Sequence, residues 1–362
     1  MEQSREASLR TAISDEPPFR LRQAEEALYS GHFGSWEEVS TLSKTLRRRI
    51  SASVPWNTLS DTIVLGSTAG DSWKAALRTE DGMMLESVLM RNARGHLTAC
   101  VSTQIGCAMN CAFCSTGKMG FTRNLSSDEV VDQVRFFVRY VGENGIEGEI
   151  TNVVFMGMGE PLANYESVRE ALRILTEKMG IGLSRITVST VGILPALRRL
   201  LDDSEWPNVR LAISLHAVDE AVRKRIMPST SEGFIRELVS FARDYARRFP
   251  ERRRHLTLEY LLLSGVNDSA DDCRKLAKLA HTMGRVRVNL IPYNATDSGF
   301  FGSGDEATGR FREALERASI TVTVRKSLGG DIAAACGQLA GKRVSEDGKR
   351  RIENAMKPRV GQ

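Results

Sequence analysis

The spacing of apolar positions changes twice along this chain. After a polar lead-in over residues 1–18 that holds Pro17-Pro18, Leu21, Ala24 and Leu28 recur at helical spacing. Gly31 and Gly34 interrupt the pattern, and a second run from Trp36 carries Val39, Leu42, Leu46 and Ile50. The spacing predicts a small helical unit with Trp36 in its core. Between residues 62 and 102 the period shortens. Ile63-Val64-Leu65, Lys74–Arg78, Met84–Met90 and Leu97–Val101 are strand-like runs, separated by Gly66, Gly70, Asp81-Gly82 and Gly95. Asp-Gly between two such runs is a hairpin signal, so a small antiparallel sheet is expected. From about 125 to 330 strands and helices alternate. Strands are predicted over 152–156, 186–189, 209–214, 256–263, 286–291 and 321–324, and helices over 128–141, 165–178, 194–201, 220–225, 234–248, 271–283 and 308–318. Alternation of this kind means parallel strands with crossover helices, and together with the strand at 97–101 it suits a barrel or partial barrel. The fold class is therefore α/β. The expected partition is a helical accessory domain over 1–60, a β extension over 61–102, a barrel with a C-terminal loop over 103–343 and a basic tail over 344–362.

Composition narrows the class. Of 362 residues, 41% are hydrophobic and 26% charged, which is ordinary for a globular chain of one barrel plus a smaller unit. No apolar run approaches the ~20 residues that span a bilayer, and Met1-Glu2-Gln3-Ser4-Arg5 opens no signal-peptide core, so the expected location is the cytoplasm. The net charge of +5 is modest, but the cations are clumped. Arg47–Arg49, Arg247-Arg248, Arg252–Arg254 and a tail with Lys342, Arg343, Lys349, Arg350, Arg351, Lys357 and Arg359 form four groups. Each alone reads as a solvated face; together they suit a phosphate backbone.

Six cysteines are present, at 100, 107, 111, 114, 273 and 336. In a reducing compartment they read as ligands or reactive thiols before a disulfide framework. Cys107, Cys111 and Cys114 are spaced C-x₃-C-x₂-C, flanked by Gly106, Gly117 and Gly120. Zinc sites favour paired C-x₂-C units and four ligands. Three thiolates on a four-iron cluster instead leave one iron open to bind and reduce a small molecule. The chemistry that uses this arrangement is reductive cleavage of S-adenosylmethionine (SAM) to a carbon radical.

Strand ends supply the rest of a site. Gly157-Met158-Gly159-Glu160-Pro161, Ser189-Thr190-Val191-Gly192, Ser214-Leu215-His216 and Pro292-Tyr293-Asn294 each follow a predicted strand. If they converge on one mouth, Glu160 suits an amino group, and Ser189, Ser214 and Asn294 suit a carboxylate and ribose. Any one Ser or Asn reads equally as a cap, and His216 as a helix-start residue. Cys336, between alanines and glycines, reads equally as a small core residue or a nucleophile on a mobile loop. Cys273 shares a helix with Leu276 and Ala277 and has no assigned role.

With these residues in place, the chain resembles the RlmN/Cfr family of radical SAM RNA methyltransferases from about residue 20 to 343, on the RlmN side. The resemblance rests on the cysteine trio with Ser115-Thr116-Gly117 and Gly120-Phe121-x-Arg123-Asn124-Leu125. It rests further on Val154–Leu162, Ala212–His216, Asn289–Asn294, and the more specific Ala335-Cys336-Gly337-Gln338-Leu339-Ala340-Gly341. It implies a (β/α)6 partial TIM barrel and a [4Fe-4S] cluster on Cys107, Cys111 and Cys114. It implies SAM at Gly159, Glu160, Ser189, Ser214, Leu215, His216 and Asn294. Cys336 corresponds to a cysteine that is itself methylated, Cys100 to a thiol that later pairs with it in a transient disulfide, and Glu86 to a proton acceptor. An adenine carbon between two nitrogens is no nucleophile, so a thiolate takes the methyl first and passes it on as a carbon radical. The implied substrates are one adenosine of 23S rRNA, methylated at carbon 2, and adenosine 37 of tRNAs. A reductant such as flavodoxin and a monomeric state are expected. Cfr-type methylation at carbon 8, a non-enzymatic zinc or iron–sulfur RNA-binding protein and a radical SAM enzyme of small molecules remain as alternatives. One segment departs from the family: after Met227-Pro228 the chain reads Ser229-Thr230-Ser231-Glu232-Gly233, where a basic stretch is usual.

Overall fold

A computed structural model describes residues 4–251 and 255–340. The Arg252–Arg254 group and the basic tail lie outside the described residues. The chain opens with helices α1 (Arg5–Ala12), α2 (Pro18–Tyr29) and α3 (Lys44–Ser51). Strands β1 (Leu59–Gly66), β2 (Ser72–Thr79) and β3 (Met84–Arg91) form an antiparallel meander, and β4 (Leu97–Cys100) leads to a hairpin of β5 (Gln104–Gly106) and β6 (Phe121–Asn124) around the one-turn α4 (Ser115–Lys118). Helices α5 (Ser127–Glu143), α6 (Tyr165–Glu177) and α7 (Leu194–Asp202) then alternate with β7 (Ile150–Phe155), β8 (Ile186–Thr190) and β9 (Arg210–Ser214). The pair α8 (Glu220–Ile226) and α9 (Phe234–Arg248), then β10 (Leu256–Leu262), α10 (Ala270–Met283), β11 (Val286–Pro292), α11 (Asp305–Arg317) and β12 (Val322–Val324) complete it.

One ten-stranded sheet runs β1-β2-β3-β4-β7-β8-β9-β10-β11-β12. From β4 onward every neighbour is parallel, with six helical crossovers between seven strands, so the (β/α)6 partial barrel is present and a short seventh strand closes its far edge. Strand β4 pairs with β3 antiparallel and with β7 parallel. The meander is thus an extension of the barrel sheet rather than a sheet of its own. Barrel strands such as β9 and β10 are buried on both faces, which is why they read as apolar runs.

Most elements fall where periodicity places them. Ser126 caps α5 with a full capping box to Glu129, and Trp36 is a core residue whose Nε1 donates to the Val54 carbonyl at 2.8 Å. The lead-in over 1–18 is corrected. Residues 5–12 are helical, capped by the Ser4 side chain, because Arg5 is drawn into a buried ion pair with Asp132 at 2.7 Å. That partner is 127 residues away, beyond what a local pattern records. Among the described residues no helix is long and apolar enough to cross a membrane.

Candidate active site

The strand ends converge on a cavity of ≈ 210 Å³ at the C-terminal face of the barrel. Its wall carries Cys107, Cys111 and Cys114, then Gly159, Glu160, Ser189, Ser214, His216 and Asn294, and also Cys100 and Cys336. Two of the expected residues stand behind the wall. Leu215 is fully buried, and its backbone N–H is committed to the Glu259 carbonyl at 3.0 Å. Glu86, on β3, is buried under the C-terminal loop.

The cysteine loop is shaped by glycines. Gly106 has φ +74°, and a Cβ there would fall 1.9 Å from the Gly120 carbonyl oxygen. The loop is tied down from two sides: Ala112 N–H donates to Ile226 O at 2.8 Å, Ser115 N–H to Gly337 O at 2.8 Å, and Thr116 Oγ1 to Leu339 O at 2.6 Å. Burial pushes the Cys107 thiol up to about 11 and that of Cys111 higher still. Neutral thiols are favoured here until a metal takes the proton's place. No three His, Cys, Asp or Glu side chains among the described residues converge as ligands of one ion would. A donor set of three soft thiolates on one loop suits a [4Fe-4S] cluster, whereas a structural zinc site asks for four ligands.

Beside the trio, Glu160 is 2% exposed. Its carboxylate accepts the N–H groups of Leu162 at 2.9 Å and Val191 at 2.8 Å. Burial raises its pKa against these bonds and that of Thr190, so an arriving ammonium meets a carboxylate that gains from the pairing. His216 sits at φ +56° and accepts Leu261 N–H on Nδ1 at 3.0 Å, which leaves Nε2 as the donor. Burial, with Arg223 nearby, lowers its pKa to about 3 and keeps the ring neutral. Asn294 Nδ2 donates to the Cys336 carbonyl at 3.3 Å, linking the far strand end to the C-terminal loop.

Four charged residues escaped the sequence reading. Arg223 is buried and donates to the carbonyls of Val191, Ser214 and Leu215 at 2.7–3.1 Å, holding two strand ends together. It also donates to Thr230 Oγ1 at 2.7 Å, so the Ser229–Gly233 departure supplies an internal bond. Arg325 lines the cavity with both Cys100 and Cys336, 3.6 Å from Glu259. Burial opposes its charge, but Cys336, Glu259 and Cys100 together keep it protonated. Cys100 is buried, and desolvation, then the neighbouring Cys336, push its thiol up to about 12. Lys74 lies against Glu86 at 3.3 Å. The available signal was a charge inside an apolar strand, as at Glu259 in Leu256–Leu262.

Gly159 shows how tightly the wall is built. Its φ is +96°, and an added Cβ would lie 2.5 Å from Gln104 Cβ and 2.8 Å from Gln104 N. Gly159→Ala is expected to cost about 2–4 kcal/mol of stability, through strain and overpacking, measured as a shift in the urea midpoint. A loss under about 0.5 kcal/mol would show that the wall yields there.

Comparison with known proteins agrees with this geometry. Residues 101–280 match the model of the radical SAM superfamily. The chain is 41% identical to the dual-specificity RNA methyltransferase RlmN of Anaeromyxobacter dehalogenans, over 98% of this chain and 94% of that one. It is 42% identical to that of Syntrophobacter fumaroxidans, over 90% and 92%. The crystal structure of a radical SAM methyltransferase from Sphaerobacter thermophilus superposes with a TM-score of 0.86 at 38% identity, covering 94% of this chain and 98% of that one. These relationships make the chain a radical SAM methyltransferase with a [4Fe-4S] cluster and SAM as cofactors, and they exclude the non-enzymatic alternative. The three-thiol cavity and near-full-length similarity together place the chain in the RlmN family of radical SAM methyltransferases.

Proposed function

We propose that the chain methylates carbon 2 of one adenosine in the peptidyl-transferase centre of 23S rRNA, and adenosine 37 of tRNAs. The observation that carries this reading is the presence of Cys100 and Cys336 in the wall of the same cavity as the Cys107–Cys114 trio. Two further thiols beside the trio are what a methyl carried on sulfur and released by a second thiol requires. Cys107, Cys111 and Cys114 would hold the cluster, which supplies the electron that cleaves SAM to a 5′-deoxyadenosyl radical. Glu160 takes the SAM amino group. Ser189, Ser214 and Asn294 take its carboxylate and ribose, while Gly159, Leu215 and His216 shape the pocket around it.

Cys336 accepts a methyl from a first SAM, since a thiolate is the nucleophile the purine lacks. Hydrogen abstraction from that methyl leaves a carbon radical that adds to the ring. Glu86 accepts the ring proton. The adduct gives up its unpaired electron, which the cluster would take, and is left as a closed-shell thioether. Cys100 then attacks the Cys336 sulfur, and the carbon leaves with the bond pair and takes a proton to become the methyl of the released base. The disulfide that forms is reopened by two electrons. A target base must leave its stack to reach such a mouth. The helical unit over 1–60 and the basic tail are proposed RNA contacts. The setting proposed is a cytoplasmic monomer served by a donor such as flavodoxin.

The test is anaerobic turnover of the reconstituted enzyme with SAM and rRNA or tRNA, read by mass spectrometry of the nucleosides. 2-Methyladenosine is the expected product. 8-Methyladenosine would reverse the regiochemistry, and 5′-deoxyadenosine without RNA methylation would sink the RNA reading.

A further inference from the structure

The antiparallel extension carries a buried ion pair directly under the Cys336 loop. Lys74 on β2 and Glu86 on β3 lie 3.3 Å apart, with side chains 10% and 5% exposed. They are diagonal neighbours, since Ala76 pairs with Glu86 and Lys74 with Val88. Each also holds the loop. Lys74 Nζ donates to the Ala333 carbonyl at 3.2 Å, and Glu86 Oε2 accepts the Ala340 N–H at 2.8 Å. The pair therefore grips the chain on both sides of Cys336. The extension adds a further tie at Thr68, in the β1–β2 turn, which donates its N–H and hydroxyl to Asp331 at 2.7 and 2.8 Å, while Ser115, Thr116 and Asn294 bond Gly337, Leu339 and Cys336 from the barrel side.

This loop needs such seating. Over the described residues 333–340 it has no regular structure, and Gly329, Ala333 and Gly337 all have φ between +51° and +86°. Its own backbone makes only short turn bonds, such as Ala334 N–H to Gly329 O at 2.8 Å and Gln338 N–H to Ala335 O at 3.1 Å. Both Glu86 oxygens are committed, one to Lys74 and one to Ala340, and the carboxylate is not part of the cavity wall.

We propose that Lys74 and Glu86 form a latch that seats the Cys336 loop, and that lifting the loop is what uncovers the Glu86 carboxylate. Lys74 is thus a positioning residue that acts through Glu86 and the loop. The proposal rests on the reading of Cys336 and Glu86 as the methyl carrier and the base. It adds a condition to that reading: the carrier is seated and the base is covered by the same contacts, so the two are freed together. The antiparallel extension, apart from the barrel's chemistry, is the seat.

The test is hydrogen–deuterium exchange on the holoenzyme, followed by mass spectrometry of peptides covering residues 333–340 and 72–91. Lys74→Met leaves Glu86 unpaired, so the neutral double variant Lys74→Met/Glu86→Gln guards against simple misfolding. The expected result is exchange over 333–340 faster by roughly tenfold in both variants, with 72–91 unchanged, and slower again in Lys74→Arg. Unchanged exchange over 333–340 in the double variant overturns the latch. So does faster exchange across 72–91, which marks a sheet ion pair and no more. Mass mapping of Cys336 after incubation with SAM is read in parallel on the parent enzyme. Absence of the methyl there defeats the carrier reading, while the exchange result still decides whether the pair seats the loop.

Discussion

Cys336→Ala is expected to lower RNA methylation at least ~10³-fold while the enzyme still cleaves SAM to 5′-deoxyadenosine under strong reduction. The physical reason is division of labour within one cavity. The cysteine trio and the strand ends proposed to face SAM are intact in this variant, but the proposed methyl carrier is gone. The comparison that sharpens it is Cys100→Ala. In the proposed sequence the methyl is then loaded onto Cys336 and joined to the base, but nothing attacks the Cys336 sulfur to release it. Protein should then accumulate with RNA covalently attached, seen as a shifted band that nuclease trims and thiols leave intact. Full methylation by Cys336→Ala would show that the methyl travels without a sulfur carrier. Free RNA product from Cys100→Ala would remove Cys100 from the release step.

The second large effect is on stability and lies far from the cavity. Asp132 of α5 is 2% exposed in its side chain. It accepts Arg5 at 2.7 and 2.9 Å, Arg135 at 2.5 Å, and the Thr58 N–H and hydroxyl at 2.7 and 2.8 Å. Arg5 and Arg135 both donate to the Trp56 carbonyl as well, and Arg135 Nε donates to Leu28 O at 2.7 Å. One carboxylate therefore joins α1, the approach to β1 and the first barrel helix. Asp132→Ala leaves the buried Arg135 without its carboxylate and Arg5 with Asp128 alone, at 3.5 Å, and is expected to cost about 3–5 kcal/mol, measured by urea denaturation at pH 7. Burial opposes ionisation of Asp132, but Arg5 and Arg135 outweigh it and hold its pKa well below the usual carboxylate range. A depressed folded-state pKa gives stability that is present above the unfolded value and lost as pH falls. The gap between parent and variant should thus be full above about pH 4 and shrink below it. A difference under about 1 kcal/mol at pH 7 would mean that water replaces the carboxylate at little cost.

Much of the site was legible because its parts are local. The C-x₃-C-x₂-C spacing, the glycines around it and the small residues after each strand lie within a few positions of one another. The α/β alternation is equally local, since period and capping are set by neighbours; Ser126 and Glu129 sit three residues apart. Lys74, Arg223, Glu259 and Arg325 were not legible. Each stands in or beside a strand or helix pattern that it merely interrupts, and its partners lie on other elements. Helix α1 was missed for the same reason, because Arg5 meets Asp132 across 127 positions.

By itself the sequence determined the class of chemistry, the order of strands and helices, and the cysteines and strand-end residues able to serve it. Only the tertiary structure decided that Cys100 and Cys336 share a wall, that Arg325 joins them there, and that Glu86 lies covered beneath a loop 254 residues away. The physical reason is that periodicity and spacing record contacts within a turn or a strand pair. The order β4-β7-β8-β9-β10-β11-β12 is settled by which apolar faces bury one another, and that closure carries distant side chains to one end of the barrel.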